Sequence, residues 1–313
     1  MSLEQVREPV RGAFVAANAA EAMDDAGVYS ILVGQKAAGF VGQSKPYLEA
    51  DFAVEDKQIQ KAVDALSASK FKFKICTSSD CIDLMGDRSD ISRKIRDREW
   101  VYADSCRFSD LHHIPAAHFH HNGIVLSLHL RSAVMPWLTE ESFAAGHGLT
   151  TSNDPRLPPP NGGPEPDSQG PTGPWTNLYP VRIQNPDAFT EGAIYMLALH
   201  MDKDLSNSNY LRRIYEDIIH RIVYRALYPF KPEYYRTLQP KFRWAWQYIN
   251  NEGRPKGHDR YAALLRLREH MIIHGELPSD LPRWDHSGVP GYKLVDSGWD
   301  LPHNFIPTNP KAV

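Results

Sequence analysis

The chain has 313 residues, of which 42% are hydrophobic and 23% are charged, and its formal net charge is −3. These values are typical of a globular protein with one large core, or with a core and a helical appendage. The lysines and arginines are dispersed, so the chain offers no basic surface for nucleic acid and we expect no polynucleotide partner. No run approaches the ~20 apolar residues of a membrane span, and we expect none.

The cysteines and the N-terminus predict a cellular compartment. The cysteines are three in number, Cys76, Cys81 and Cys106, and they lack a paired metal spacing. We therefore expect reduced thiols, with Cys106 a weak nucleophile because no base is evident near it. The N-terminus lacks the sustained apolar segment of a signal peptide. Together these features predict a cytoplasmic protein.

The first predicted elements are a helix and then a strand, turn and helix. Residues 6–26 are rich in alanine, have apolar side chains at helical spacing, and are followed by Gly27, which stops a helix. Residues 29–33 form an apolar, β-branched run that ends at Gly34. Residues 35–41 carry the small side chains of a helix that packs on a sheet.

The next predicted strand carries two acids. Glu49 and Asp51 are two residues apart, so their side chains share one face of a strand. A helix over residues 57–67 and a strand over residues 71–76 continue the order. Both acids are expected beside the N-terminus of the helix that Gly34 opens.

A third strand is predicted over residues 123–134, because its apolar residues alternate cleanly. One face holds isoleucine and leucine, whereas the other includes Ser127, His129 and Arg131. The sequence thus predicts a polar face on this strand, with a histidine and an arginine at its end.

Beyond this strand the composition changes. Residues 153–174 are rich in proline and glycine and predict an exposed connection. Helices are then predicted from a cap at Asn185 to about residue 200, after Ser206 up to Pro229, over residues 243–250, and over residues 259–274 before Gly275. The aromatic residues of the tail from Pro278 predict packed, extended chain. We therefore expect an α/β core over residues 1–150, a loop over 151–176, and a C-terminal helical region over 177–313 with an extended tail.

The order of the first elements resembles the nucleotidyltransferase superfamily. In that family Gly-Ser opens a helix, an acid-x-acid pair follows on the next strand, and a third acid lies on a neighbouring strand. Here Gly34-Gln35 stands where the family has Gly-Ser, and Glu49-Ala50-Asp51 matches the acid pair. The strand expected to carry the third acid offers His129 and Arg131 instead, so the motif is degenerate.

Downstream segments resemble a family of fungal nucleotidyltransferase-like proteins. They are PAAHFHHNG, LHLRSAVMPWL, SNDPRLPPP and LYPVRIQNPDAFTEGAIYMLALHMD, in that order, and the likeness spans roughly residues 29–204. The resemblance implies an α/β fold, with a nucleotidyltransferase-like mixed sheet, flanking helices and a C-terminal helical region.

The degenerate motif predicts a site without a metal or other cofactor. If Arg131 faces Glu49 and Asp51, its charge neutralises them and leaves less negative potential to hold magnesium. Six histidines are possible zinc ligands by residue type: His112, His113, His118, His120, His121 and His129. No cysteine or carboxylate spacing completes a zinc signature, so we expect these imidazoles to be hydrogen-bonding groups.

Three functions are compatible with these patterns. The leading prediction is a small-molecule enzyme of fungal secondary metabolism that performs a metal-independent cyclisation or isomerisation, including a pericyclic step of the Diels–Alder type. The alternatives are magnesium-dependent nucleotidyl transfer to a small molecule and a non-catalytic small-molecule binding protein. The predicted catalytic residues are Gln35, Glu49, Asp51, His129 and Arg131. The predicted substrate-binding residues are Gly34, Lys36, Tyr47, His118, His120 and Ser127.

Overall fold

The structure is a computed structural model that describes residues 8–41, 50–77, 81, 115–121, 124–157, 177–199, 234–249 and 260–281. The chain divides into two compact units, Met1–Pro186 and Asp187–Val313. The described helices and strands confirm the predicted mixed α/β class.

The first unit is built on one sheet of seven strands. The strands are β1 (Ser30–Val33), β2 (Ala50–Val54), β3 (Lys74–Ile75), β4 (Ala117–His121), β5 (Ile124–Leu130), β6 (Leu149–Thr151) and β7 (Arg182–Gln184). Their order across the sheet is β3-β4-β5-β2-β1-β7-β6. β1 pairs antiparallel with β2, whereas β2 pairs parallel with β5. The sheet is therefore mixed, and β5 and β2 lie near its centre.

The described helices are shared between the two units. They are α1 (Glu8–Asp25), α2 (Gly34–Ala38), α3 (Ile59–Ala68), α4 (Arg131–Val134), α5 (Glu140–Ala145), α6 (Pro186–Leu199), α7 (Pro240–Ile249) and α8 (Arg260–Ile273). Single 3₁₀ turns cover Gly39–Val41, Asp56–Gln58 and Tyr234–Thr237. None of these helices is long and apolar enough to cross a membrane, a statement limited to the described segments.

One face of the sheet is covered by α1, which contacts β1, β2, β5 and α3. Its buried side chains are mostly alanines, and Ala13, Ala16 and Ala20 are at most 3% exposed. Small side chains allow the helix to approach the sheet closely, where it covers large residues such as Phe52. Gly27 follows the helix at φ +66 and donates its N–H to the Asp24 carbonyl at 2.8 Å, which confirms the predicted stop.

The opposite face is covered, at its β1 end, by the chain around α4 and α5. Ile31 and Ala53 project from β1 and β2 and pack against Met135 and Phe143. Partly buried hydrophobic residues surround this cluster: Tyr29, Val33, Val134, Trp137, Leu138 and Leu149. The cluster fixes the segment that follows β5 against the sheet.

The third predicted strand ends earlier than the sequence indicated. β5 stops at Leu130, and Arg131–Val134 is helical. Ser132 explains the turn, because its backbone N–H donates to Asp56 Oδ1 at 3.1 Å and so satisfies a group that a strand would have paired. The predicted strand over residues 71–76 is also shorter, since only Lys74–Ile75 pair with β4.

The first unit extends beyond the boundary that the sequence predicted at residue 150. β7 pairs parallel with β1, with Leu32 opposite Ile183, and β6 pairs antiparallel with β7. Both strands belong to the sheet, and the first unit accordingly ends at Pro186. Most of the predicted loop, the predicted helix after Ser206, and the tail beyond residue 281 lie outside the described residues.

The second unit contains α7, α8 and all of α6 except its first residue, Pro186. Trp246 is 1% exposed and packs edge-on against Tyr234, with ring centroids 5.4 Å apart. Tyr195 donates its hydroxyl to the Glu276 carbonyl at 2.8 Å. Gly275, at φ +71, ends α8 as predicted.

Candidate functional site

Four polar side chains stand side by side on one face of the sheet. Asp51 of β2 is opposite Ser127 of β5, and Ser127 is opposite His118 of β4. Cys76 follows β3 and donates its backbone N–H to the His118 carbonyl at 3.0 Å, so Cys76 lies beside His118. Directly opposed residues point to the same side of a sheet. We call Cys76, His118, Ser127 and Asp51 the polar row.

Asp51 is paired with His129, which lies two residues beyond Ser127 on the same face of β5. His129 Nε2 is 3.3 Å from Asp51 Oδ1, and the two residues are 3% and 5% exposed. A carboxylate that is ionised can only accept a hydrogen bond, so in that form of the pair the imidazole proton is on Nε2. The lone pair is then on Nδ1.

Two buried polar atoms beside this pair lack a protein partner. Within the described part of the chain, neither His129 Nδ1 nor Ser127 Oγ makes a hydrogen bond. Leaving a buried polar group unsatisfied costs about 1–3 kcal/mol, and such groups in native proteins usually meet water or a ligand. Ser127 and His129 are roughly 7 Å apart along one strand face. Each of the two atoms can therefore still form a hydrogen bond with water or with a ligand.

Gly34 brings the backbone close to Asp51. It follows Val33, which is opposite Asp51 in the β1–β2 ladder, and it adopts φ +71. A Cβ atom on Gly34 would lie 2.9 Å from Asp51 Oδ2. Glycine is needed for both reasons, because other residues rarely adopt this φ and would contact the carboxylate. Gly34 thus sets the position of Asp51 from the side opposite His129.

Arg131 does not face Asp51, and this corrects the expected pairing. Its Nε donates to Glu55 Oε2 at 3.1 Å, and its Nη1 donates to the Leu138 carbonyl. Because the chain turns into α4 at Arg131, the guanidinium lies near the end of β2 and meets the carboxylate that follows that strand. Of the two predicted basic groups, His129 contacts Asp51, whereas Arg131 contacts Glu55 and Leu138.

Glu55, the partner of Arg131, was not among the residues that the sequence indicated. Residues 51, 53 and 55 alternate along the chain, so the strand pattern could have placed Glu55 on the same face as Asp51. Its side chain is 10% exposed, and that of Arg131 is 14% exposed. The pair joins the end of β2 to the start of α4.

The other predicted site residues have different outcomes. Glu49 and Tyr47 lie outside the described residues, as does the side chain of Gln35. Lys36 is in α2 and is 1% exposed. His118 and His120 share one face of β4. The structure therefore brings Gly34, Asp51, Ser127 and His129 together, with the β4 histidines farther along the same face.

Four metal-ligating side chains also converge at this side of the sheet. One donor atom from each of Cys76, Cys81, His118 and His120 lies within 4.8 Å of the other three. The expectation of no metal was based on the spacing of cysteines and histidines along the sequence. That spacing does not show that β4 pairs with β3 and so brings two histidines close to the cysteines that follow β3. His121 points to the opposite face, where its ring packs on Phe73 at 4.8 Å and burial lowers its pKa.

Comparisons with known proteins give no match: no family model, curated sequence or solved structure is similar to the chain. The chemistry of the site is therefore inferred from its residues and their geometry.

Proposed function

We propose that the protein is a small-molecule enzyme of the cyclase or isomerase class, in which Asp51 and His129 form the acid–base centre. The observation that carries this proposal is the buried contact between His129 Nε2 and Asp51 Oδ1, which leaves Nδ1 as a buried lone pair with no partner among the described residues. A carboxylate that orients one imidazole nitrogen prepares the other to accept a proton.

An isomerisation at this centre balances without a co-reactant. Nδ1 removes a proton from a carbon of the substrate, and the electron pair of that C–H bond becomes delocalised in the substrate. The imidazolium that forms is stabilised by the Asp51 carboxylate. It then returns the proton to a different atom, and His129 recovers its neutral form.

A cyclisation uses the same groups. Ser127 Oγ can donate a hydrogen bond to a substrate carbonyl that gains negative charge, while His129 moves the proton. Asp51, Ser127 and His129 are at most 5% exposed, so little water surrounds them. Oriented hydrogen bonds are stronger in such surroundings than in water. A pericyclic ring closure would be accelerated by the same polarisation.

The resemblance of the sequence to nucleotidyltransferases adds to this proposal. The Gly34 turn, the acid on β2 and the neighbouring β5 follow the nucleotidyltransferase order, but the sequence of β5, IVLSLHL, contains no acidic residue. Asp51 is opposite Ser127 and bonded to His129. We propose on this basis that acid–base chemistry replaces metal chemistry at this place in the fold, and the sequence resemblance alone points to a fungal secondary metabolite as the substrate.

Magnesium-dependent nucleotidyl transfer is the second candidate, and the close approach of Gly34 to Asp51 favours it. Calorimetry with ATP and magnesium separates the two. We expect no binding in the low micromolar range, because His129 occupies one oxygen of Asp51. Tight binding that requires magnesium would restore the transferase assignment.

The direct test uses an extract of cells from which the gene has been deleted. The purified protein is incubated with this extract in deuterium oxide, and products are separated by liquid chromatography and mass spectrometry. We expect one compound to be consumed and an isomer of it to appear, with deuterium on carbon where proton transfer is involved. His147→Gln, at an exposed histidine of the same unit, is the matched control.

His129→Gln and Asp51→Asn should fold and lose turnover. General acid–base catalysis contributes typically 10²–10⁴-fold, and we expect losses of about that size for His129→Gln. Full turnover in both folded variants would refute the acid–base centre. Binding of a compound without any conversion would instead identify a binding protein.

A further inference from the structure

Two cysteines and two histidines meet at the β3 edge of the sheet, where β4 and β5 separate β3 from the strand of Asp51. The donor atoms of Cys76, Cys81, His118 and His120 all lie within 4.8 Å of one another. Cys81 Sγ and His120 Nε2 are 3.3 Å apart. These four residues are the edge cluster.

The spacing suits one tetrahedral ion. Zinc is bound at about 2.3 Å by thiolate and about 2.0–2.1 Å by imidazole, which places neighbouring donors about 3.3–3.8 Å apart. The edge cluster is within roughly an ångström of that arrangement, and small side-chain rotations close the difference. Thiolate and imidazole select zinc over magnesium or calcium, which prefer oxygen ligands.

The sheet positions three of the four ligands before any ion binds. His118 and His120 alternate along β4 and so share one face. Cys76 is held beside His118 by the hydrogen bond from its N–H to the His118 carbonyl, at 3.0 Å. A site fixed on strands loses little freedom when the ion enters.

In the described part of the chain, the β3 edge is held mainly by its pairing with β4 and by contacts with α3. β3 has two residues, both exposed, and each is paired with β4. Such short edge pairing is a weak restraint. An ion held by Cys76 and by the β4 histidines would link β3 to β4 directly, and Cys81 would join the chain beyond β3 to the same point.

We propose that Cys76, Cys81, His118 and His120 bind one zinc ion as a closed structural site. Four protein ligands fill the tetrahedral coordination sphere, which leaves no position for a substrate. Both thiols bind as thiolates, so zinc binding releases protons and weakens in acid. This proposal is independent of the acid–base centre, since the ligands are different residues.

Metal content and cobalt substitution test the proposal. The full chain is purified from zinc-supplemented medium, and metals are measured by plasma mass spectrometry. We expect one zinc per chain. Replacement by Co²⁺ should give the visible absorption of tetrahedral cobalt and a near-ultraviolet band from thiolate-to-cobalt charge transfer.

Single substitutions assign the ligands. Cys76→Ser and His118→Gln should lose most of the bound zinc, whereas His121→Gln, one residue from His120 on the opposite strand face, should keep all of it. Should a ligand variant fail to fold, the cobalt spectrum of the parent protein still reports thiolate coordination.

Two results would overturn the site. One is a folded parent protein with reduced thiols that binds neither zinc nor cobalt. The other is full zinc retention in folded Cys76→Ser and His118→Gln.

Discussion

Gly34 shows at the scale of one residue how the sequence shapes the site. Its positive φ turns the chain from β1 into α2, and its missing side chain leaves room for Asp51. The sequence identified this glycine as a turn between a strand and a helix. It could not show that the turn lies against a carboxylate, because that contact depends on the β1–β2 register.

We predict that Gly34→Ala destabilises the protein more than Gly275→Ala. Both glycines adopt φ +71, so both substitutions incur the same backbone strain, of roughly 1–2 kcal/mol. Only at Gly34 does the new methyl group meet Asp51 Oδ2, at 2.9 Å, whereas nothing lies within 4 Å at Gly275. The extra cost should be about 1–3 kcal/mol, as for other overpacked sites.

Urea unfolding of the two variants measures this difference. Equal losses of stability would show that Asp51 moves away freely and that Gly34 does not restrain it.

Asp51, Ser127 and His129 also show what could be predicted at this scale. Alternation along the strands placed them on a polar face before the structure was known. Arg131 belonged to the same pattern and was wrongly placed, because Asp56 binds Ser132 and ends the strand before it. Hydrogen bonds between distant residues are not visible in a local pattern.

At the scale of the elements, an ion pair joins β2 to α4. Arg131 Nε and Glu55 Oε2 are 3.1 Å apart, and both side chains are largely buried. We predict that Arg131→Met destabilises the protein by about 3–5 kcal/mol, because it leaves the Glu55 carboxylate buried without its charge partner.

The double variant Glu55→Gln/Arg131→Met should lose less than the sum of the single losses, with a coupling free energy of at least about 1 kcal/mol. Turnover per folded molecule should be unchanged in every folded variant. Additive losses in the double variant would contradict the coupling between Glu55 and Arg131. A large loss of turnover in folded Arg131→Met would show that Arg131 takes part in catalysis.

The sequence predicted β1, β2 and β5, but it did not predict β6 and β7. β1, β2 and β5 have four or more residues each, and their patterns were recognised. β6 and β7 have three residues each. They pair across a proline-rich segment of the sequence, so no local pattern distinguishes them from loop. The predicted boundary at residue 150 falls within β6, and the first compact unit runs to Pro186.

At the scale of the molecule, the second unit contains a buried phenol that links stability to pH. Burial raises the pKa of Tyr195 from 10.0 to about 12, and Glu276 adds to the effect. The folded state therefore holds this proton more tightly than the unfolded state. The resulting stability is complete below the unfolded pKa and is lost as pH rises towards the folded pKa.

We predict that Tyr195→Phe is less stable than the parent protein at neutral pH by about 1 kcal/mol, because the hydrogen bond to the Glu276 carbonyl is lost. The difference in unfolding free energy between the two proteins should shrink between pH 10 and pH 12, because only the parent protein loses the stability that the protonated Tyr195 hydroxyl provides. Denaturant unfolding across this range measures it, and a gap independent of pH would contradict the assignment.

The imidazole tautomer of His129 tests the proposed acid–base centre most directly, and it requires no substrate. Nuclear magnetic resonance of ¹⁵N-labelled imidazoles distinguishes Nδ1 from Nε2 protonation, and His129→Gln assigns the signal. We predict a proton on Nε2, bonded to Asp51, and a lone pair on Nδ1. A proton on Nδ1 instead would leave that nitrogen unable to accept a proton from a substrate and would contradict the proposed chemistry.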